Sequence, residues 1–168
     1  EVPAPDDGPD AGAVWHYGDP LGEPTETFVS SSTIQFSSTG GQSHLDLIAD
    51  GVYAADLDGT PLDPAAFSHN RFPFTTEPGT HEITVTALCR YSHSGEGLHR
   101  FVDPADGKVY LYTQFEIADA RRMYADFEQP DQKMTFELQV IAPTGWTIVS
   151  NSPTPEPAEG PWEGMSRW

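Results

Sequence analysis

The chain has 168 residues, enough for one domain, and carries 26 acidic against 8 basic side chains. Its net charge of −18 repels phosphate backbones and anionic membrane surfaces at long range, which argues against nucleic-acid and membrane partners. The sequence also lacks a membrane-spanning apolar run, and its start, EVPAPDDGPDAG, lacks the basic and apolar regions of a signal peptide. The single cysteine, Cys89, cannot form an internal disulfide, so we expect a cytoplasmic location.

Apolar side chains are distributed unevenly along the chain. The two ends, residues 1–26 and 151–168, hold nine of the sixteen prolines and almost none of the Val, Leu, Ile and Phe. Such segments bury too little apolar surface to offset the entropy lost on ordering. We therefore expect a disordered or atypical leader over 1–26, a β-sandwich domain over 27–150 and a Pro-rich tail over 151–168.

Alternation of apolar and polar residues predicts β-strands through the middle of the chain. The alternation is most regular in residues 134–140 (MTFELQV), where Met134, Phe136, Leu138 and Val140 share one face. The other predicted strands are 28–36, a short run at 45–48, 83–87, and two strands that flank residues 103–107.

Turn and helix signals complete the fold prediction. Asp58-Gly59 and Asp106-Gly107 each lie between apolar residues, a typical hairpin-turn pattern, and Gly40-Gly41 indicates a further turn. Residues 117–124 contain good helix formers without glycine or proline, and they form the only predicted helix. These elements predict a mainly β fold, an antiparallel β-sandwich or saddle with one short helix.

The six histidines are candidate metal ligands, but their spacing is not typical of a metal site. No HExxH motif is present, and Cys89 has no partner cysteine. His93 and His99 flank a Gly-rich loop and can converge, although an ordinary strand-end role is favoured. We predict no metal and no catalytic residue in this chain, which also lacks a G-x-S-x-G nucleophile motif.

Two groups of carboxylates are embedded among aromatic residues, in residues 112–116 (YTQFE) and 127–131 (FEQPD). A partly desolvated acid of this kind gains by binding an ammonium group. Alternatively, Arg121 or Arg122 neutralises it within the fold. The local sequence favours such internal pairing over ligand binding.

The segment 89–157 resembles the M1 zinc aminopeptidases, the aminopeptidase N family. The residues that carry the resemblance are Thr113-Gln114-Phe115-Glu116, then Ala120-Arg121-Arg122, then residues 127–133 (FEQPDQK). They are similar to the family's TQFE…AR…F-D-x-P…K pattern. Residues 27–88 fit the preceding strands more loosely.

The resemblance implies an amino-terminal β domain that packs on a separate zinc domain. It implies that Glu116 binds the free α-amino group of a peptide substrate and that Gln114 lines the same S1 pocket. For Glu128 and Asp131 we keep a structural interpretation, as acids that brace a loop beside Lys133. The zinc ligands and the GxMEN loop would belong to the following domain. We therefore expect a chain that is inactive alone, whose partners are a peptide amino terminus and the zinc domain of its parent. Glu128 stands where the family usually has Asp, and Asp126 where Cys is common.

Residues 1–23 instead resemble the start of a folate-binding, aminomethyltransferase-like protein. This predicts a fusion junction near Glu23 to Thr25 and a sheet edge exposed by the loss of a first strand. The absence of the zinc-domain motifs separately predicts a fragment truncated before its catalytic domain. The alternatives are a non-catalytic binding module, docking through an apolar face around Tyr110, Tyr112 and Phe115, and an inert truncated product.

Overall fold

The computed structural model of the chain describes residues 26–168. The predicted junction and the resemblance over residues 1–23 lie outside the described residues. The strands are β1 (Thr27–Asp46), β2 (Gly51–Leu57), β3 (Thr60–Leu62), β4 (Arg71–Arg90), β5 (Gly97–Val102), β6 (Val109–Gln114), β7 (Ile141–Pro143), β8 (Ala158–Glu159) and β9 (Met165–Arg167). Two short 3-10 helices span Pro64–Ala66 and Ala120–Arg122.

The described chain divides into two compact units, residues 26–129 and 130–168. The first contains a four-stranded sheet in the order β1-β4-β2-β3 and a separate ribbon, β5–β6. The second contains a three-stranded sheet in the order β7-β9-β8. Every ladder between these strands is antiparallel, so the prediction of a mainly antiparallel β fold is confirmed.

The first unit is built around a long antiparallel pair of strands, β1 and β4, whose pairing runs from Thr27↔Arg90 to Asp46↔Arg71. The prediction of two separate strands and a turn at Gly40-Gly41 was wrong, because β1 runs through both regions. Gly40 and Gly41 adopt φ angles of 89° and 107° inside the strand. Glycine takes such angles without steric cost, so the strand is bent there and continues.

The core lies on one face of this sheet. β4 alternates buried and more exposed residues because one of its faces packs inward. The fully buried large side chains are Leu45, Leu47, Phe72, Ile83, Val85 and Cys89. Cys89 is therefore a core residue, and its burial raises the pKa of the thiol to about 12.

The two Asp-Gly turns differ in structure. Asp58 and Gly59 both have positive φ angles, 55° and 78°, and connect β2 to β3 in the predicted two-residue hairpin. Asp106-Gly107 lies in a longer loop, since the β5–β6 ladder ends at Val102↔Val109. Of these two residues, Gly107 alone has a positive φ angle.

Two local predictions were wrong. The predicted helix at 117–124 is reduced to the 3-10 helix Ala120–Arg122. The predicted strand at 134–140 is not assigned as a strand, and three of its apolar side chains are well exposed: Met134 at 65%, Phe136 at 57% and Leu138 at 43%. Across residues 26–168, no helix has the length and apolar character needed to cross a bilayer.

His81, on β4, links the β1–β4 pair to the β2–β3 turn. Its Nδ1 lies 2.6 Å from Asp58 Oδ2, and its Nε2 lies 2.8 Å from the Glu77 carbonyl oxygen. Both ring nitrogens therefore donate when the ring is protonated. The hydrogen bond to Asp58 raises the pKa of His81, with help from the Glu77 carbonyl. The same bond, assisted by the Glu82 N–H, lowers the pKa of Asp58.

We expect this pair to make stability depend on pH. Because the pKa of His81 is raised in the folded state, the protonated ring stabilises the fold, and this contribution is fully present below about pH 6.5. It is lost as the pH rises through the folded-state pKa. The lowered pKa of Asp58 means that its ionised carboxylate stabilises the fold above about pH 3.8. This stabilisation is lost as the pH falls through the folded-state pKa. Urea unfolding from pH 4 to 9 should show a decline in stability above neutrality that is smaller in His81→Gln than in the parent, whereas the exposed-site control His69→Gln should match the parent. An identical decline in His81→Gln would contradict this role.

Candidate functional site

The candidate site lies at the end of the β5–β6 ribbon. The register pairs Gly97 with Gln114 and His99 with Tyr112, so these residues share one face near the start of β5 and the end of β6. The ring centroids of His99 and Tyr112 are 4.7 Å apart. Gln114 is therefore the last residue of β6, two residues after the His99–Tyr112 ring pair, and Glu116 lies in the turn that follows the strand.

The structure brings Gln114 and Glu116 together. The Glu116 backbone N–H donates to Gln114 Oε1 at 3.0 Å, and both side chains are exposed. The Glu116–Ile117 peptide is cis. Phe115, between the two, turns to the other side and packs its ring edge-on against Tyr124, with centroids 5.6 Å apart.

Neither nearby arginine neutralises Glu116. Arg122 Nε donates to Asp119 Oδ1 at 2.7 Å, and Arg121 Nε donates to the Ala118 carbonyl at 3.0 Å. Within the described chain the Glu116 carboxylate forms neither an ion pair nor a hydrogen bond. The internal pairing that the local sequence favoured is therefore wrong for this acid, which is left open to a ligand.

Gly97 sets how closely the ribbon approaches the 3-10 helix. Its φ is +65°, and a Cβ at this position would lie 2.7 Å from Arg122 Cβ. No other residue allows this approach without displacing the arginine. Gly97 and Arg122 thus fix the strand that faces Gln114 against the segment that follows Glu116, a contact that the sequence patterns did not reveal.

The loop after Glu116 is anchored to the core sheet. The Ile48 N–H donates to the Arg121 carbonyl at 2.7 Å, and Asp46 and Asp126 exchange backbone hydrogen bonds of 2.8 and 3.2 Å. Glu128 Oε2 accepts from the Arg121 N–H at 2.9 Å, which is the bracing role predicted for it. Asp131, the other predicted bracing acid, is exposed. These contacts anchor the loop at Arg121 and at Asp126, five or more residues after Glu116.

Asp126, noted in the sequence only as standing where the family commonly has Cys, is a buried acid. It is 5% exposed, and its Oδ1 accepts from the Glu128 N–H at 2.8 Å. Burial, followed by the nearby Glu128 charge, raises the pKa of Asp126 to about 7. No local pattern marks this position as buried, because its burial comes from the distant partner Asp46.

The two candidate metal ligands do approach one another. The rings of His93 and His99 are 6.4 Å apart, and His99 Nδ1 accepts the Gly95 N–H at 3.1 Å. His93 Nε2 lies 3.5 Å from a Glu26 carboxylate oxygen. Even so, residues 26–168 contain no group of three or more His, Cys, Asp or Glu side chains that would hold a metal ion.

Comparison with known proteins matches this chain to a peptidase family. The model of the Peptidase M1 N-terminal domain family matches residues 63–164. The chain is 50% identical to "Aminopeptidase N" of Streptomyces lividans over 141 residues, which are 82% of this chain and 16% of that protein. It is 35% identical to "Aminopeptidase N" of Acetobacter pasteurianus over 104 residues, 58% of this chain and 29% of that protein.

A mammalian relative shows the same pattern: "Aminopeptidase N" of Bos taurus is 32% identical over 91 residues, 53% of this chain and 9% of that protein. The chain therefore spans less than a third of the length of each of these relatives. The matched family segment covers most of the chain and includes Gln114 and Glu116. The chain belongs to the M1 peptidase family, as its amino-terminal domain.

Proposed function

We propose that this chain is the substrate-anchoring domain of a zinc-dependent aminopeptidase and that Glu116 binds the free α-amino group of a peptide substrate. The observation that carries the proposal is the state of Glu116: an exposed carboxylate that has no ion-pair or hydrogen-bond partner among residues 26–168, while Arg121 and Arg122 are both engaged elsewhere. The names of the relatives, all aminopeptidases, support the substrate class.

An ammonium group is a suitable ligand for such a carboxylate, because the two carry opposite charges and the ammonium donates hydrogen bonds. A charge-assisted hydrogen bond between them is about twice as strong as a neutral one. Holding the α-amino group also fixes the first peptide bond at a set distance from Glu116, and positioning of this kind lowers the barrier of the step that follows. This arrangement accounts for cleavage at the first peptide bond of a chain rather than at an internal one.

Gln114 has a supporting part in the proposal. Its side-chain oxygen accepts a hydrogen bond from the Glu116 backbone N–H. This bond restrains the backbone from which the Glu116 side chain extends. Its exposed amide then borders the space that the first substrate side chain would occupy. Because the described residues do not fit a zinc ion, we assign peptide-bond cleavage to a partner catalytic domain and only anchoring to this chain.

The test is kinetic and uses a chimera. Residues 27–168 replace the matching segment of the Streptomyces lividans relative, whose 50% identity makes the exchange feasible. We expect Glu116→Ala to lower kcat/KM for an aminoacyl anilide by about 30- to 1000-fold, the range for breaking one partner of a desolvated charge pair.

The matched control is Glu137→Ala, which removes another exposed glutamate from the same chain. It should leave kcat/KM within about twofold of the parent chimera, as surface substitutions usually do. If Glu116→Ala and Glu137→Ala behave alike, Glu116 does not anchor the substrate.

The second candidate function, a non-catalytic binding module, is favoured by one observation. Phe101, Tyr110 and Tyr112 form an exposed aromatic face on the ribbon, each being between 45% and 51% exposed. Phe115, which the sequence placed on this face, packs against Tyr124 instead. An active chimera that loses activity with Glu116→Ala supports the aminopeptidase, whereas an inactive chimera of normal stability supports the binding module.

A further inference from the structure

Glu116 lies in a turn whose shape is set by its own hydrogen bonds. The Asp119 N–H donates to the Phe115 carbonyl at 3.1 Å, and Arg121 Nε donates to the Ala118 carbonyl at 3.0 Å. These two bonds connect residues of the turn only with each other. The place of the turn on the first unit is therefore set at its start by β6 and at its end by the contacts of its last residues.

Arg121 fastens the end of the turn to two other parts of the first unit. Its carbonyl accepts the Ile48 N–H at 2.7 Å, and its own N–H donates to Glu128 Oε2 at 2.9 Å. The first bond joins backbone to backbone, whereas the second depends on a side chain. A substitution at Glu128 therefore removes one of the two fastenings without changing any residue of the turn.

The backbone of Glu128 is held in an unusual conformation. Its φ angle is +44°, in the left-handed region that residues other than glycine seldom adopt. The Glu128 N–H donates to Asp126 Oδ1 at 2.8 Å, and Asp126 is itself held by backbone hydrogen bonds to Asp46. Backbone strain persists where the surroundings impose it, and such positions cluster at functional sites. The strained residue here is the one whose side chain reaches the end of the Glu116 turn.

We propose that Glu128 is a positioning residue, which acts through Arg121 to hold the turn where the Glu116 carboxylate meets a substrate amino group. This inference rests on the function proposed for Glu116. The bond from the Arg121 N–H requires an acceptor oxygen at the end of the side chain rather than a charge, and glutamine has such an oxygen. Glu128→Gln should therefore retain the positioning, and Glu128→Ala should lose it.

Amide hydrogen exchange of the full chain tests whether Glu128 holds the turn. We expect Glu128→Ala to speed exchange of the Asp119 N–H, which donates within the turn, at least about threefold, and Glu128→Gln to leave it within about twofold. The reference is the Gly107 N–H, which donates to the Asp103 carbonyl in the β5–β6 loop and should not change. The proposal is overturned if exchange at Asp119 is unchanged in Glu128→Ala, rises as much in Glu128→Gln, or rises no more than at Gly107.

A double-mutant cycle in the same chimera tests whether Glu128 acts through Glu116. Glu128→Ala should lower kcat/KM for an aminoacyl anilide at least about fivefold, since a misplacement of about 1 Å can cost 100-fold, while Glu128→Gln stays within about twofold of the parent. In the Glu116→Ala background, Glu128→Ala should change kcat/KM less than about twofold, because the carboxylate to be positioned is gone. The exposed-site control Glu137→Ala should be neutral in both backgrounds. A merely structural role would lower kcat/KM by the same factor in both backgrounds, and that result would overturn the proposal.

The cycle also separates this inference from the proposed function. If Glu116→Ala alone leaves kcat/KM unchanged, the proposed function fails and the inference fails with it. If Glu116→Ala lowers kcat/KM and Glu128→Ala does not, Glu116 binds the amino group without help from Glu128, and only the inference is overturned.

Discussion

Replacing Asp126 with Asn should stabilise this protein at pH 8 by about 4 kcal/mol and leave its stability at pH 4 nearly unchanged. Aspartate normally has a pKa of 3.8, whereas burial raises that of Asp126 to about 7, and this difference corresponds to about 4 kcal/mol. Asparagine carries no charge to bury. Its side-chain oxygen can also accept the Glu128 N–H that Asp126 accepts now, at 2.8 Å.

The sign follows from proton binding. Below pH 4 the carboxyl is protonated whether the chain is folded or unfolded, so it costs nothing. Between pH 4 and 7 the folded state holds a proton that the unfolded state has released, and stability falls as pH rises. Above pH 7 the full cost of the buried charge remains. The effect of His81 is present in both proteins and cancels in their difference.

Urea unfolding followed by circular dichroism at several pH values measures this difference. The exposed-site control is Asp131→Asn, which makes the same chemical change and should shift stability by less than about 0.5 kcal/mol. If Asp126→Asn is no more stable than the parent at pH 8, burying the ionised Asp126 carboxylate does not destabilise the folded protein, and this account is contradicted.

Phe72→Ala should destabilise the first unit by about 3–5 kcal/mol. Phe72 is fully buried on β4, opposite the equally buried Leu45. Truncation removes its transfer free energy and leaves a cavity that a paired sheet cannot close. A loss of this size approaches the whole stability of a small domain, so we expect a large drop in the urea midpoint.

The control for this change is Phe101→Ala on the ribbon, where the side chain is 45% exposed. The same truncation should cost less than about 1.5 kcal/mol there, because little apolar surface returns to water. Equal effects at the two positions would mean that the face of β4 that contains Phe72 is not the core.

Alternation along the sequence predicted strands well where one face is buried. Ile83, Val85 and Ala87 alternate because they line the core, and β4 runs through them as expected. Residues 134–140 alternate just as regularly without being assigned as a strand. Alternation encodes which face would be buried, but it does not encode the neighbouring strand. Within the described chain, the end of this segment, Val140, exchanges backbone hydrogen bonds with Trp168.

The prediction of a short helix was wrong because contacts with distant residues decide the local structure. Residues 117–124 have helical propensity, but the Arg121 carbonyl accepts the Ile48 N–H, and Asp119 binds the Arg122 side chain. These tertiary contacts outweigh a propensity of a few tenths of a kcal/mol per residue. The lack of an arginine partner for Glu116 was likewise not predictable. It depends on which acceptors Arg121 and Arg122 bind in the folded chain.

The most direct test of Glu116 as the amino-group anchor uses two substrates that differ only in the α-amino group. In the chimera, kcat/KM is measured for an aminoacyl anilide and for its desamino analogue, with Glu116 and with Glu116→Gln. If Glu116 binds the α-ammonium, the substitution should lower kcat/KM at least tenfold for the aminoacyl substrate, about 1.4 kcal/mol, and leave the much slower desamino reaction unchanged. An equal loss with both substrates would contradict the account, because the glutamate would then act without contacting the amino group.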